Sequence, residues 1–237
     1  MNSLPLDFLE HTAGLISGNL NGHFLADHLP RPWSKIIKDR QVDSEIYVLF
    51  VYQKSETEFY CQVEPKYRSD RPAINAPTNT TINDLFNMDK KCVLCINALE
   101  IMNYPYRRMY SPYPLTRISK RDLLNKVLPL VHRQLLCGSK RWCPRINIQF
   151  IEDMALYEEC LKMAAQLPSL VNMEICYMGS ETERIIRQGF VHWNLYNLEI
   201  QGCCPLSFVA EIVRSKCAKN LCLRPRMITS TSELVLE

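Results

Sequence analysis

Four short β-like segments recur in the last ninety residues at nearly constant spacing, and nothing else in the chain limits its fold as strongly. They are Ile146–Phe150, Met173–Tyr177, Leu198–Gln201 and Leu221–Arg224. Aligned on Ile148, Ile175, Ile200 and Leu223, they lie 27, 25 and 23 residues apart. Apolar residues at helical spacing fill each gap. The first gap carries Met154, Tyr157, Leu161 and Ala164. The second carries Ile185, Ile186, Gly189, Phe190 and Trp193, with Ser180 and Glu183 spaced as a capping box. The third carries Val209, Ile212, Val213 and Cys217, with Pro205 at the helix start. One such unit cannot bury its own apolar face, so parallel stacking of units is expected to build a continuous core. A doubly wound α/β domain has the same local pattern. The near-constant period and short connections favour a one-directional stack, a strand–helix solenoid.

Stacking in this register has a consequence for the exposed surface. Alternate residues of each strand point inward, which gives that role to Ile148, Ile175, Ile200 and Leu223. The others form three outward rows. One holds Asn172, Asn197 and Asn220, whose amides are placed to hydrogen-bond from strand to strand. The next sets Glu174 beside Glu199, with Asn147 and Cys222 at its ends. The third holds Gln149, Cys176, Gln201 and Arg224. Like charges on neighbouring strands repel by some tenths of a kcal/mol. A Lys or Arg from a partner would offset that, so Asn172, Glu174, Asn197, Glu199, Gln201 and Arg224 are the expected target-binding residues.

Upstream, residues 41–145 read as a small β plus α connector. Ile46–Tyr52 and Phe59–Val63 are β-branched and aromatic, which suggests an antiparallel pair. Thr81–Phe86 reads as a short helix and Cys92–Ile101 as a third strand. Ser119 and Asp122 form a capping box before a longer helix, in which Pro129 demands a kink or a restart.

Charge is unevenly spread. Residues 102–145 hold ten basic side chains and one acidic, whereas 41–101 and 146–237 are each net acidic. Tyr104, Tyr106, Arg107, Arg108, Tyr110, Tyr113 and Arg117 interleave aromatics with cations, a pattern that fits stacking on unpaired bases. The acidic flanks can equally neutralise the block within the molecule, and nucleic acid is the lesser reading.

The composition is that of a globular protein, with 47% hydrophobic and 22% charged residues. No apolar run is long enough to span a bilayer, and the N-terminal residues do not read as an export signal. A reducing compartment, cytoplasmic or nuclear, is therefore expected. The eleven Cys then read as buried thiols rather than a disulfide framework. Cys92 and Cys95 have zinc-knuckle spacing but no second ligand pair, so neither metal nor cofactor is expected. No Gly-rich phosphate loop, nucleophile elbow or HExxH pair is present, and His192 beside Trp193 reads as packing. No catalytic residue is assigned, and an enzyme is not expected.

Residues 1–40 read as short helices, with Leu4, Pro5, Leu6, Asp7, Phe8 and Leu9, then Ile16, Leu20 and Leu25, then Trp33, Ile36 and Ile37. From the residues alone, such a trio either caps the following domain or offers its leftover apolar face to a partner. This head resembles an F-box, which opens on Leu-Pro, an acidic residue and an apolar helix and closes about thirty residues later on a Trp. The whole layout resembles a group of nematode proteins with an F-box-like head and degenerate leucine-rich-repeat-like repeats. The resemblance is clearest over 1–40 and 146–225. It implies a substrate receptor of a Skp–cullin–F-box ubiquitin ligase. Leu4, Pro5, Leu6, Phe8 and Leu9 would then meet a Skp-type adaptor with Trp33 packed behind them, and residues 146–237 would hold the target. A scaffold without the ligase connection is the alternative. The expected fold is thus α/β, mixed α+β overall: a helical module, a connector and a strand–helix repeat array.

Overall fold

The β-branched and aromatic run near residue 50 sits inside one eight-stranded sheet, in a computed structural model that describes residues 45–66, 79–90, 94–103, 112–136, 144–149, 151–168 and 170–224. The strands are β1 (Glu45–Gln53), β2 (Glu58–Pro65), β3 (Leu94–Asn103), β4 (Leu115–Ser119), β5 (Arg145–Ile148), β6 (Asn172–Cys176), β7 (Leu195–Gln201) and β8 (Ala218–Arg224). Their spatial order is β4-β2-β1-β3-β5-β6-β7-β8. β2 is antiparallel to both β1 and β4, and every other pairing is parallel. β2 alone therefore runs against the rest.

Among the described residues five helices accompany the sheet: α1 (Ile82–Lys90), α2, α3 (Met154–Ala165), α4 (Ser180–Gly189) and α5 (Leu206–Ser215). α2 is composite. It begins at Lys120–Asp122, widens into a π-turn over Leu123–Val127 and continues as Leu128–Leu136. The Ser119–Asp122 box forms, with the Asp122 amide donating to Ser119 Oγ at 3.0 Å. The π-turn is the answer to Pro129. Proline lacks the N–H for an i→i−4 bond and its ring crowds that carbonyl, and a wider turn just before it relieves the crowding.

The sheet is continuous across 145/146, where the sequence divides connector from repeats. Ile101 pairs with Ile148 and Leu99 with Ile146. One inward row runs Val51, Ile101, Ile148, Ile175, Ile200, Leu223. The first five are fully buried, each contributing about 1.5–3 kcal/mol by leaving water. A bulge at Asn97 keeps the pattern in phase, since Tyr47 faces Ile96 while Val48 faces Ala98. α3 and α4 lie side by side on the buried face. The Trp193 indole packs on Gly189, and its N–H donates to the Ala164 carbonyl at 3.1 Å.

Several local expectations need correction. Leu223 keeps the inward register but is 42% exposed, because no described strand lies beyond β8. Val213 is 61% exposed on the same end, and Phe208 takes the core position on α5 instead. Met154 is exposed at the start of α3. Ser180 and Glu183 form no capping box. The cap position of α4 is Gly179, at φ 102°, and the Glu183 carboxylate accepts from the Tyr177 hydroxyl at 2.7 Å. Pro205 occupies the cap position of α5, one residue before its first turn. His192 is exposed rather than packed.

Candidate interaction surface on the open face of the sheet

Strand alternation puts a second set of side chains on the face of the sheet opposite the helices, and the strand register lines them up in rows. Asn172 pairs with Asn197, and Asn197 with Asn220. The amides form a ladder. Asn197 Nδ2 donates to Asn172 Oδ1 at 2.9 Å, and Asn220 Nδ2 to Asn197 Oδ1 at 3.0 Å. Each amide offers a donor on one side and an acceptor on the other, so the same residue on successive strands is self-complementary. Arg145 begins this row beside Asn172.

The next row reads Glu100, Asn147, Glu174, Glu199, Cys222. Glu174 and Glu199 are direct neighbours, as the sequence alignment places them. Each already has a partner within the sheet. Arg224 Nε lies 2.9 Å from Glu199 Oε1. Arg224 is two residues along from Cys222, the residue facing Glu199, and this diagonal is within reach of a long side chain. Gln201 Nε2 donates to Glu174 Oε1 at 2.5 Å, and the Arg145 guanidinium pairs with Glu100. Glu174 is the carboxylate of the row with an amide rather than a guanidinium as its direct partner. Partial burial pushes its carboxyl above the usual range, the Glu199 charge adds to that, and Arg224, Arg145 and Gln201 oppose it. Asn147, between Glu100 and Glu174, is 7% exposed, and its Oδ1 has no hydrogen-bond partner among the described residues.

Sequence reasoning missed the other half of this face. Phe50, Tyr52 and Met102 form a small buried cluster there, with Val48 and Tyr60 against it. The Phe50 and Tyr52 rings stack with centroids 6.4 Å apart. Tyr52 donates to Gln62 Oε1 at 2.9 Å, and Gln62 Nε2 donates to the Tyr113 carbonyl at 2.9 Å. A groove of about 620 Å³ lies alongside, and its lining includes Val48, Phe50, Ala98, Glu100, Arg145 and Asn172. β1 is apolar on both faces, so no alternation signal in the sequence separates core from surface. The spacing of Val48, Phe50 and Tyr52 at i, i+2, i+4 is the available clue.

Leu4, Pro5, Leu6, Phe8, Leu9 and Trp33 lie outside the described residues, as do Tyr104, Tyr106, Arg107, Arg108 and Tyr110 and the side chains of Cys92 and Cys95. Five cations of the basic block are described with carboxylate partners: Arg117 with Glu58, Lys120 with Asp153, Lys126 with Asp122, Arg133 with Asp89 and Arg145 with Glu100. Among the described residues Cys61, Cys160, Cys176 and Cys217 are buried, while Cys203 and Cys222 are exposed. Burial pushes the Cys61 thiol up to about 12, which leaves it a poor nucleophile.

A second cavity of about 500 Å³ lies against α2 and α3, where His132 and Glu159 appear with no hydroxyl or thiol in the lining. No three described His, Cys, Asp or Glu residues are grouped to hold a metal ion, and no described helix is long and apolar enough to cross a membrane. No protein-family model, curated protein or solved structure matches the chain.

Proposed function

We propose that this chain is a protein-interaction receptor that catalyses no reaction and serves as a substrate receptor of a Skp–cullin–F-box ubiquitin ligase. Residues 1–40 act as the F-box-like head, which docks a Skp-type adaptor through Leu4, Pro5, Leu6, Phe8 and Leu9 with Trp33 behind them. Residues 146–237 act as a leucine-rich-repeat-like array that holds the target against Asn172, Glu174, Asn197, Glu199, Gln201 and Arg224. The observation that most supports a binding role is the asymmetry of the sheet. Helices cover one face of β5–β7, while the other carries laddered amides, a row with the carboxylates of Glu100, Glu174 and Glu199, and the guanidinium groups of Arg145 and Arg224 in the rows beside it.

The test is a direct titration of the full chain with a purified Skp-type adaptor. Binding at micromolar or tighter affinity is expected. Replacing Leu4 and Pro5 by Ala together should abolish it while the thermal transition of the sheet is unchanged. Absence of binding by the native chain overturns the ligase reading and leaves the scaffold alternative. The nucleic-acid reading rests on the Tyr- and Arg-rich stretch, where Arg117 has a carboxylate partner, as do Lys120, Lys126, Arg133 and Arg145 further along the basic block. Nucleic-acid binding would fall steeply with salt, because each neutralised phosphate releases counterions. No binding to a single strand is expected even at low salt.

A further inference from the structure

On one side α3 packs along α4, and on the other it faces α2 across a cavity of about 500 Å³. That volume suits a small organic ligand. α2 contributes Leu124, Leu128 and His132 to the lining, each four residues from the next, and α3 contributes Glu159, Lys162 and Met163. Leu128 and Met163 are buried and Leu124 is half-buried, so part of the lining is apolar. The two charged groups are matched, since Lys162 Nζ donates to Glu159 Oε1 at 2.8 Å. A ligand therefore need bring no charge of its own.

What is unmatched in the lining is a set of acceptors, and the π-turn of α2 creates two of them. The Leu128 N–H donates to the Leu123 carbonyl rather than to that of Leu124. Pro129 has no N–H, so the Asn125 carbonyl has no i+4 donor. Leu124 and Asn125 both line the cavity. Further along α2, His132 Nε2 is buried and has no hydrogen-bond partner among the described residues. Burial pushes this imidazole below its ordinary value of 6.5, so the ring is uncharged at neutral pH and keeps one nitrogen as an acceptor. A buried acceptor without a donor is costly, and a ligand that supplies the donor removes that cost.

We propose that the cavity between α2 and α3 binds an uncharged small molecule that has an apolar ring body and an O–H or N–H donor. The body lies against Leu124, Leu128 and Met163. The donor is directed to the His132 ring, and the carbonyls of Leu124 and Asn125 serve any further donor the ligand carries. The cavity is on the helix side of the sheet, away from the asparagine ladder, and the inference does not rest on the receptor reading.

The test compares 2-naphthol with its methyl ether, which share one ring system and differ in the O–H. Each is titrated into the full-length chain and followed by NMR at the Met163 methyl and the His132 ring. 2-Naphthol should bind saturably, and the ether about fivefold or more weakly, the worth of one hydrogen bond. His132→Phe keeps a ring and removes its nitrogens, and should bring 2-naphthol down to the affinity of the ether. Gln166 is an exposed residue of the lining, so Gln166→Trp should fill the cavity and abolish binding of both probes with the thermal transition unchanged. No saturable shift at Met163, equal affinity for the two probes, or undiminished 2-naphthol binding in either variant overturns the inference. The first of these is also the result expected if another part of the chain already fills the cavity.

Discussion

On the helix side of β5–β8, Ile148, Ile175 and Ile200 lie in one row with no solvent exposure. On the opposite side, at strand positions of the other parity, Asn197 and Asn220 are exposed and Glu174 and Glu199 only partly buried. The same backbone register produces both surfaces, yet they differ in what holds them. The inner row is held by burial, which grows with apolar area and is indifferent to partner identity. The outer rows are held by directed contacts, each worth little in water because solvent offers equivalent bonds. Fold stability therefore resides on the covered face, and the outer residues can be exchanged at small cost. That freedom is what a surface selected for binding requires.

The largest expected effect comes from breaking the covered face. Ile175→Ala should destabilise the protein by about 2–5 kcal/mol, through lost transfer free energy and the cavity left behind. Urea denaturation would show this as a lower midpoint at unchanged slope. Next is Gly189→Ala. A Cβ there would lie 2.4 Å from Trp193 Cε2, and the indole is tied to the Ala164 carbonyl. The ring must move, at a cost of about 1–3 kcal/mol. A smaller aromatic at Trp193 should recover part of that loss in the double variant, which would separate the clash from any effect on helix propensity.

The ladder tests the other side. Asn197 donates to Asn172 and accepts from Asn220, so Asn197→Ala removes two hydrogen bonds at once. All three residues retain contact with water, so the loss should be at most about 1 kcal/mol. A loss comparable to that of Ile175→Ala would erase the distinction between the faces.

How much of this was legible in the sequence follows from the same contrast. The rows of β5–β8 could be written down because three near-equal spacings align Ile148, Ile175, Ile200 and Leu223, and strand parity does the rest. Parity alone does not fix burial: Leu223 faces inward yet is exposed, since covering it depends on a neighbour beyond β8. The union of β3 with β5 was not legible, because no repeat links β1 and β3 to the later strands and β1 is apolar on both faces. Arg224 keeps its place in the row with Gln149, Cys176 and Gln201, but row membership does not reveal that its length carries it diagonally to Glu199. Glu183 matched a helix-start motif, but a glycine cap and the Tyr177 hydroxyl claimed that end of α4.

The smallest expected effect is the one that separates the two neighbouring carboxylates. Glu174 binds its proton more tightly in the folded protein than the usual value of 4.5, first because of burial and then because of Glu199. As pH rises from that value through the raised folded value, the native state holds more protons than the unfolded chain. Stability must therefore fall across this window and stay lower above it. Glu174→Gln removes that fall, so its stability curve should be flatter there and slightly higher at neutral pH. Glu199 differs because Arg224 is its partner, with 17% of the carboxylate side chain and 63% of the guanidinium side chain exposed. Glu199→Gln gives up that solvent-screened pair and should lower stability slightly. Opposite signs at neutral pH, read from urea midpoints across a pH series, are the expected result. Equal signs would mean that the charged row responds as one unit and that Arg224 compensates both carboxylates alike.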